Sequence, residues 1–265
     1  MSADFYWANV PPQEAPIEEW VERFHRDGYL FLENVLPPKL CEQLKVDLDR
    51  ALEEQGGDVS GSIHLHHRMF EKSRANLSLF DLEPIVTFAE RLIADTVHVI
   101  HNNSFKVYPG SQGISTWHQD DAPHYLVTHG EPPTNVRLPV LLFTANYYLT
   151  DVTAVENGPT QVIPRSHLIG QRCPPNMTGT QWEESIISTL GKAGSLIMFN
   201  NQVWHRGSPN STDVTRYITQ VSYARRLVGH KYHPFMNYQM PEEAYKDASP
   251  RLKRLLGFLP SGAYG

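Results

Sequence analysis

The chain has 265 residues, 40% of them hydrophobic and 20% charged, with a formal net charge of -6 and a pI of about 6.1. This is enough chain for one large domain with a sizeable core, and the composition is that of an ordinary soluble globular protein. The acidic balance disfavours a nucleic-acid binder, which needs a concentrated basic face, and no run of about 18 apolar residues offers a membrane span.

The N-terminus lacks the basic and apolar blocks of a secretory signal. Cys41 and Cys173 are the only cysteines; they could form one bridge but not a disulfide framework. The last residues, Ala-Tyr-Gly, are not a peroxisomal address. A cytoplasmic location is the default expectation.

Taken in order, residues 1–15 carry Pro11, Pro12 and Gln13 and read as an arm. Pro16 opens a helix in a position that tolerates proline. Ile17, Trp20, Val21 and Phe24 then repeat at i, i+3, i+4, i+7, and Gly28 ends the helix. Tyr29 to Leu32 reads as a short strand. Pro37-Pro38 opens a second helix with Leu40, Cys41, Leu44, Leu48, Ala51 and Leu52 on its apolar face, stopped by Gly56-Gly57. Ser60 to Ala75 has no clear period and carries His64, His66, His67, Arg68, Lys72 and Arg74. It reads either as a solvated loop or as a wall of a substrate site. A third helix starts near Pro84, with Ile85, Phe88, Ala89, Leu92 and Ile93 facing inward.

From Val97 the texture changes to short strands separated by turn signals. They are Val97–Val99, Phe105–Tyr108, Ile114–His118, Val140–Leu149, Gln161–Ile163, Ser185–Thr189, Leu196–Phe199 and Arg216–Tyr223. Strands following helices predict a sandwich or jelly roll with helices packed on one side. Asp121 to Leu138 is a long polar loop of the kind that forms lids. Pro241 to Phe258 predicts a last helix. The expected division is one domain over 1–265: a mostly helical part (1–95), a jelly-roll core (96–228) and a tail with a helix (229–265).

Within Thr116-Trp117-His118-Gln119-Asp120-Asp121, His118 and Asp120 are two apart. On an extended strand they share a face, so one metal ion can meet both. The other His-x-Asp, His25-Arg26-Asp27, lies at a helix end, where i and i+2 do not face each other. His205 is the candidate third ligand. Two His and one carboxylate make the facial set of non-haem Fe(II) oxygenases, which leaves three metal positions open. Arg216, at the start of a strand, offers a two-pronged contact to a carboxylate.

Five stretches also resemble the phytanoyl-CoA dioxygenase family of Fe(II)- and 2-oxoglutarate-dependent oxygenases. They are Asp27-Gly28-Tyr29-Leu30, Trp117 to Asp120, Glu156-Asn157-Gly158-Pro159, Val162 to His167, and His205 to Asn210 with Arg216; the tail Ser249 to Gly257 also fits. The resemblance implies a double-stranded β-helix (jelly roll, cupin-like), mainly β with flanking α, its N-terminal helices packed outside. It implies that His118, Asp120 and His205 bind Fe(II) and that Arg216 binds the distal carboxylate of 2-oxoglutarate. Asn102, Lys106 and Thr160 are further cosubstrate candidates by the same likeness. Asn146 stands where relatives often carry a tryptophan, and His167 belongs to a structural turn.

The implied reaction couples oxidative decarboxylation of 2-oxoglutarate by O2 to hydroxylation or related C–H oxidation. Related halogenases replace the carboxylate with a small residue, so Asp120 favours hydroxylation, desaturation or ring formation. His66, His124, Tyr125, Phe143 and Trp204 predict an aromatic, polar pocket for a small metabolite or natural-product intermediate, with Arg68 at its edge. The alternative is an acyl-CoA 2-hydroxylase, for which Arg68, Lys72, Arg74 and Arg137 are the available cations. A zinc hydrolase using the same donors, or an inactive jelly-roll binding protein, are rival readings. The zinc reading leaves Arg216 without a role.

Overall fold

The helical stripes seen in the sequence close onto one face of a seven-stranded antiparallel sheet. The structure, a computed structural model, describes residues 5–229 and 238–258. Helix α1 (Ile17–Asp27) buries Ile17, Trp20, Val21 and Phe24. Gly28 ends it at φ 81°, donating its N–H to Phe24 O. A side chain there is excluded twice over: the conformation suits glycine, and a Cβ would lie 2.3 Å from Val203 and 2.5 Å from His167 Nδ1. The chain then enters β1 (Tyr29–Leu32) and α2 (Pro38–Gln55), whose buried stripe holds Cys41, Leu44, Leu48 and Ala51.

The segment from Ser60 to Ala75 is not a loop. Asp58–Ser60 and Ile63–His67 form a hairpin, β2 and β3, followed by a short helix α3 (Arg74–Ser78). Strand β3 pairs with β4 (His98–Val107), Leu65 opposite Phe105 and His67 opposite Asn103. The run of histidines hid its period of two. The next helix, α4 (Ile85–Leu92), packs against α1. Phe88 meets Phe24 at 5.7 Å between ring centroids and Phe143 of the sheet at 5.6 Å.

Val97–Val99 and Phe105–Tyr108 fuse into the single strand β4. The intervening His-Asn-Asn-Ser has poor strand propensity, but β3 and β10 (Arg216–Ala224) pair with it on both sides, and tertiary pairing overrides propensity. With β5 (Leu142–Tyr148) and β8 (Leu196–Asn200) the sheet runs β1-β8-β5-β10-β4-β3-β2. A second sheet, β7-β6-β9, is built from Thr160–Val162 (β6), Ile187–Ser188 (β7) and His205–Gly207 (β9). Two sheets with helices outside the larger one make a jelly roll. Tyr148, Val162, Ile197, Phe199, Val203 and Ile218 form an apolar cluster that joins them.

Ile114–His118 forms no strand. It runs beside β9 with one true bridge, His118 to His205, and otherwise with Gly207 N–H donating to Ile114 O. The tail carries two short helices in place of one, α5 (Glu242–Tyr245) and α6 (Pro250–Leu255). Ser249 caps α6 by accepting from Leu252 N–H at 3.1 Å, which separates the two. Cys41 and Cys173 are both free thiols. Among the described residues no helix is long and apolar enough to cross a membrane.

Register decides which side chains enter the space between the sheets. Opposite pairs are Arg216–Val107, Ile218–Phe105 and Gln220–Asn103 toward β4, and Ile218–Tyr148 and Gln220–Asn146 toward β5. Since faces alternate along a strand, these residues point inward. Asn102, Ser104, Lys106 and Phe143 point outward to the helices.

Candidate active site

His118 and His205 stand opposite each other. His118 N–H donates to His205 O at 3.0 Å and His205 N–H to His118 O at 2.9 Å. Two residues on, Asp120 N–H donates to Asn201 O at 2.9 Å and anchors the third donor. Asp120 Oδ1 lies 4.0 Å from His118 Nε2 and 3.5 Å from His205 Nε2. One donor atom from each residue lies within 4.8 Å of the others; among the described residues this is the one such His/Cys/Asp/Glu group able to hold a metal ion.

The tautomers follow from chemistry. His118 Nδ1 is 2.8 Å from Thr116 O, and His205 Nδ1 is 2.8 Å from Val203 O. A carbonyl only accepts, so each Nδ1 carries the hydrogen and each Nε2 keeps its lone pair for a metal. Burial, then the neighbouring His205 ring, push the His118 pKa down, which keeps that lone pair available at neutral pH.

Across the same cavity is Arg216, the first residue of β10 and 5% exposed. Its Nε and Nη1 are buried with no hydrogen-bond partner, and burial pushes its pKa down to about 10. Burying an unpaired cation is costly. A guanidinium in this setting has the geometry for a two-pronged contact with a carboxylate. The cavity measures about 210 Å³ and is lined by His118, Asp120, His205, Arg216, Thr160, Asn146 and Gln220, with Phe105, Phe199 and Ile218 among its apolar walls.

Other candidates fall elsewhere. Lys106 is on the outer face of β4, its Nζ 2.7 Å from Asp49 Oδ1 of α2. Asn102, on that face too, accepts from Phe70 N–H and donates to Gln220 O. Phe143 is buried in the helix-covered core, stacked on Tyr223. Trp204 turns away from its neighbour His205 into a cluster with Trp117, Ile163 and Met177. His66 and Arg68 line a separate surface depression near Gly57 and Lys72, with Arg68 paired to Glu71. His124 and Tyr125 line another cleft with Leu138 and Gln202, the Tyr125 hydroxyl donating to Leu168 O. For the strand residues Asn102, Lys106 and Phe143 the cause is parity. A strand residue one position from a pocket residue points to the opposite face, and spacing along the chain does not show which face is inside.

Thr160 does line the cavity, as does Asn146. Gln220 and Phe105 were not singled out from the sequence. The signal for Gln220 was present: it is at i+4 from Arg216 on one strand, so the two share a face.

Fold and donor set together define an Fe(II)- and 2-oxoglutarate-dependent dioxygenase, an enzyme that consumes O2. The sequence model of the phytanoyl-CoA dioxygenase (PhyH) family matches residues 24–218, and the chain belongs to that family. It is similar to an ectoine dioxygenase of Nocardia farcinica, 24% identical over 230 residues, covering 75% of this chain and 74% of that protein. It is also similar to an L-proline trans-4-hydroxylase of Streptomyces griseoviridis, 24% identical over 253 residues, 80% of this chain and 87% of that one. Its fold matches that of the epimerase SnoN, solved with Fe3+, α-ketoglutarate and nogalamycin RO. The TM-score is 0.66 and the identity 18%, over 86% of this chain and 94% of that chain.

Proposed function

We propose that this enzyme hydroxylates, or oxidises in a related way, an unactivated C–H bond of a small organic metabolite or natural-product intermediate. His118, Asp120 and His205 hold Fe(II), and Arg216 grips the distal carboxylate of 2-oxoglutarate. The observation that carries this reading is the unpartnered, buried Arg216 guanidinium in the same cavity as three convergent metal donors. Bound iron with 2-oxoglutarate supplies the O2-dependent oxidation, with succinate and CO2 as coproducts.

The chain's own residues prepare the site. The carbonyls of Thr116 and Val203 fix both imidazoles with Nε2 toward the metal. Asp120 supplies the anionic donor. Arg216 and Thr160 receive the cosubstrate at the deep end, and the apolar walls Phe105, Ile218 and Phe199 exclude water around the reacting groups.

Two relatives are named for the small metabolites ectoine and L-proline, which supports the substrate size. The acyl-CoA reading has less behind it. Arg137 is held by Glu22 and Arg68 by Glu71, and the depression that Arg68 shares with Lys72 is separate from the cavity of the metal donors. A zinc hydrolase would leave Arg216 with no anion to bind, and an inactive binding protein would be marked by loss of a metal donor, whereas all three are in place. Residues 1–265 act in this reading as one domain without a nucleic-acid or membrane partner. Two unpaired thiols fit a cytoplasmic setting.

The test is anaerobic titration of metal-free protein with Fe(II) and then 2-oxoglutarate. A weak visible charge-transfer band marks bidentate chelation at an iron with open positions. If no band develops and zinc is retained tightly in its place, the oxygenase reading fails.

A further inference from the structure

On the cavity wall Gln220 Nε2 donates to Asn146 Oδ1 at 2.9 Å. Both side chains line the cavity that holds the metal donors, and Asn146 is only 6% exposed. The bond uses one carbonyl and one N–H of the pair. Asn146 Nδ2 and Gln220 Oε1 have no hydrogen bond to the described protein, and neither is among its fully buried polar atoms. Turning both amides over exchanges the roles and leaves the same remainder: one donor and one acceptor, side by side and uncharged. The charged groups of the cavity are otherwise committed. Asp120 belongs to the metal set and Arg216 to the cosubstrate, and Arg206 is tied to Gln161 Oε1 at 2.7 Å and lies over the Trp117 ring.

We infer that Asn146 and Gln220 form the specificity element of the site and read a neutral carboxamide or lactam edge on the substrate, which presents one acceptor and one donor in return. The inference rests on the function proposed above and narrows its substrate class. A carboxylate, phosphate or ammonium at this position would be desolvated against neutral amides with no counter-charge. The cavity of about 210 Å³ also takes the metal and 2-oxoglutarate, so the substrate enters it only by the end that carries the amide edge.

The experiment uses the full chain loaded anaerobically with Fe(II) and 2-oxoglutarate, whose charge-transfer band reports on groups bound beside the iron. Three ring-sized probes are titrated: δ-valerolactam, cyclohexanecarboxylate and cyclohexylammonium. The lactam is expected to perturb the band saturably and the two ions not to. Gln220→Leu and Asn146→Leu are each expected to raise the lactam half-saturation about tenfold, since each leaves a buried partner unpaired. Equal or stronger perturbation by either ion, or lactam binding unchanged in both variants, overturns the inference. So does a loss confined to 2-oxoglutarate affinity, because the pair would then serve the cosubstrate. Each of those results leaves the dioxygenase reading intact. Absence of the band from the wild-type protein would instead remove that reading itself.

Discussion

His118 and His205 exchange both backbone hydrogen bonds, at 3.0 and 2.9 Å, and each turns its Nδ1–H onto the carbonyl two residues before it. A pair bonded this way is held at fixed Cα separation, so the two Nε2 atoms meet the Asp120 carboxylate without help from long side chains. The donor set is a property of one bridge between two chain segments, with Asp120 pinned to Asn201 beside it.

Removing the carboxylate tests this directly. Asp120→Ala is expected to weaken Fe(II) binding by more than the ~10–100-fold that loss of an outer-shell partner brings, and to abolish 2-oxoglutarate turnover. Metal titration and succinate release check it. Retention of tight iron binding would place the metal elsewhere.

Arg216 makes opposite demands on the empty and the loaded protein. In Arg216→Met the unpaired buried cation is gone, so the metal- and cosubstrate-free protein is expected to melt higher by roughly 2–4 °C, the shift given by ~1 kcal/mol in a domain of this size. The same variant should lose about 100-fold or more in 2-oxoglutarate affinity, and with it the rise in melting temperature that saturating 2-oxoglutarate gives the wild type. Calorimetric scans with and without 2-oxoglutarate measure both effects.

Lys106 is a control for parity. It faces α2 and pairs with Asp49, so Lys106→Met is expected to change 2-oxoglutarate affinity by less than about twofold, the effect of losing a partly exposed ion pair remote from the ligand. A tenfold loss would mean that Lys106 reaches the cosubstrate after all.

His167 sets part of the acid stability. It is 7% exposed, donates Nε2–H to His25 O at 3.1 Å, and burial pushes its pKa down to about 4. The folded protein therefore keeps this ring neutral, while the unfolded chain binds a proton near pH 6.5. Its contribution is fully present above pH 6.5 and is lost as the pH falls from 6.5 to about 4, at most about 3 kcal/mol. His167→Gln keeps a donor for His25 O but cannot titrate. Urea unfolding of the metal-free variant between pH 7 and 4 should show a flatter stability profile than wild type. An unchanged slope would assign the loss to other buried histidines.

Much of this protein was legible in residue order. Amphipathic stripes, Pro starts and Gly stops located α1, α2 and α4, because helix periodicity is a local property. The types and order of the donors, His118-x-Asp120, then His205, then Arg216, were readable because the chemistry of a site depends on side-chain identity. What sequence left open was direction. Whether Lys106 or Phe105 enters the cavity, and that Gln220 and Asn146 meet there while Phe143 does not, depends on the register of β4, β5 and β10. Register is set by partners far away in the chain, and a shift of one residue turns every side chain to the other face. Only the folded sheets decide it, and only they bring His205 opposite His118.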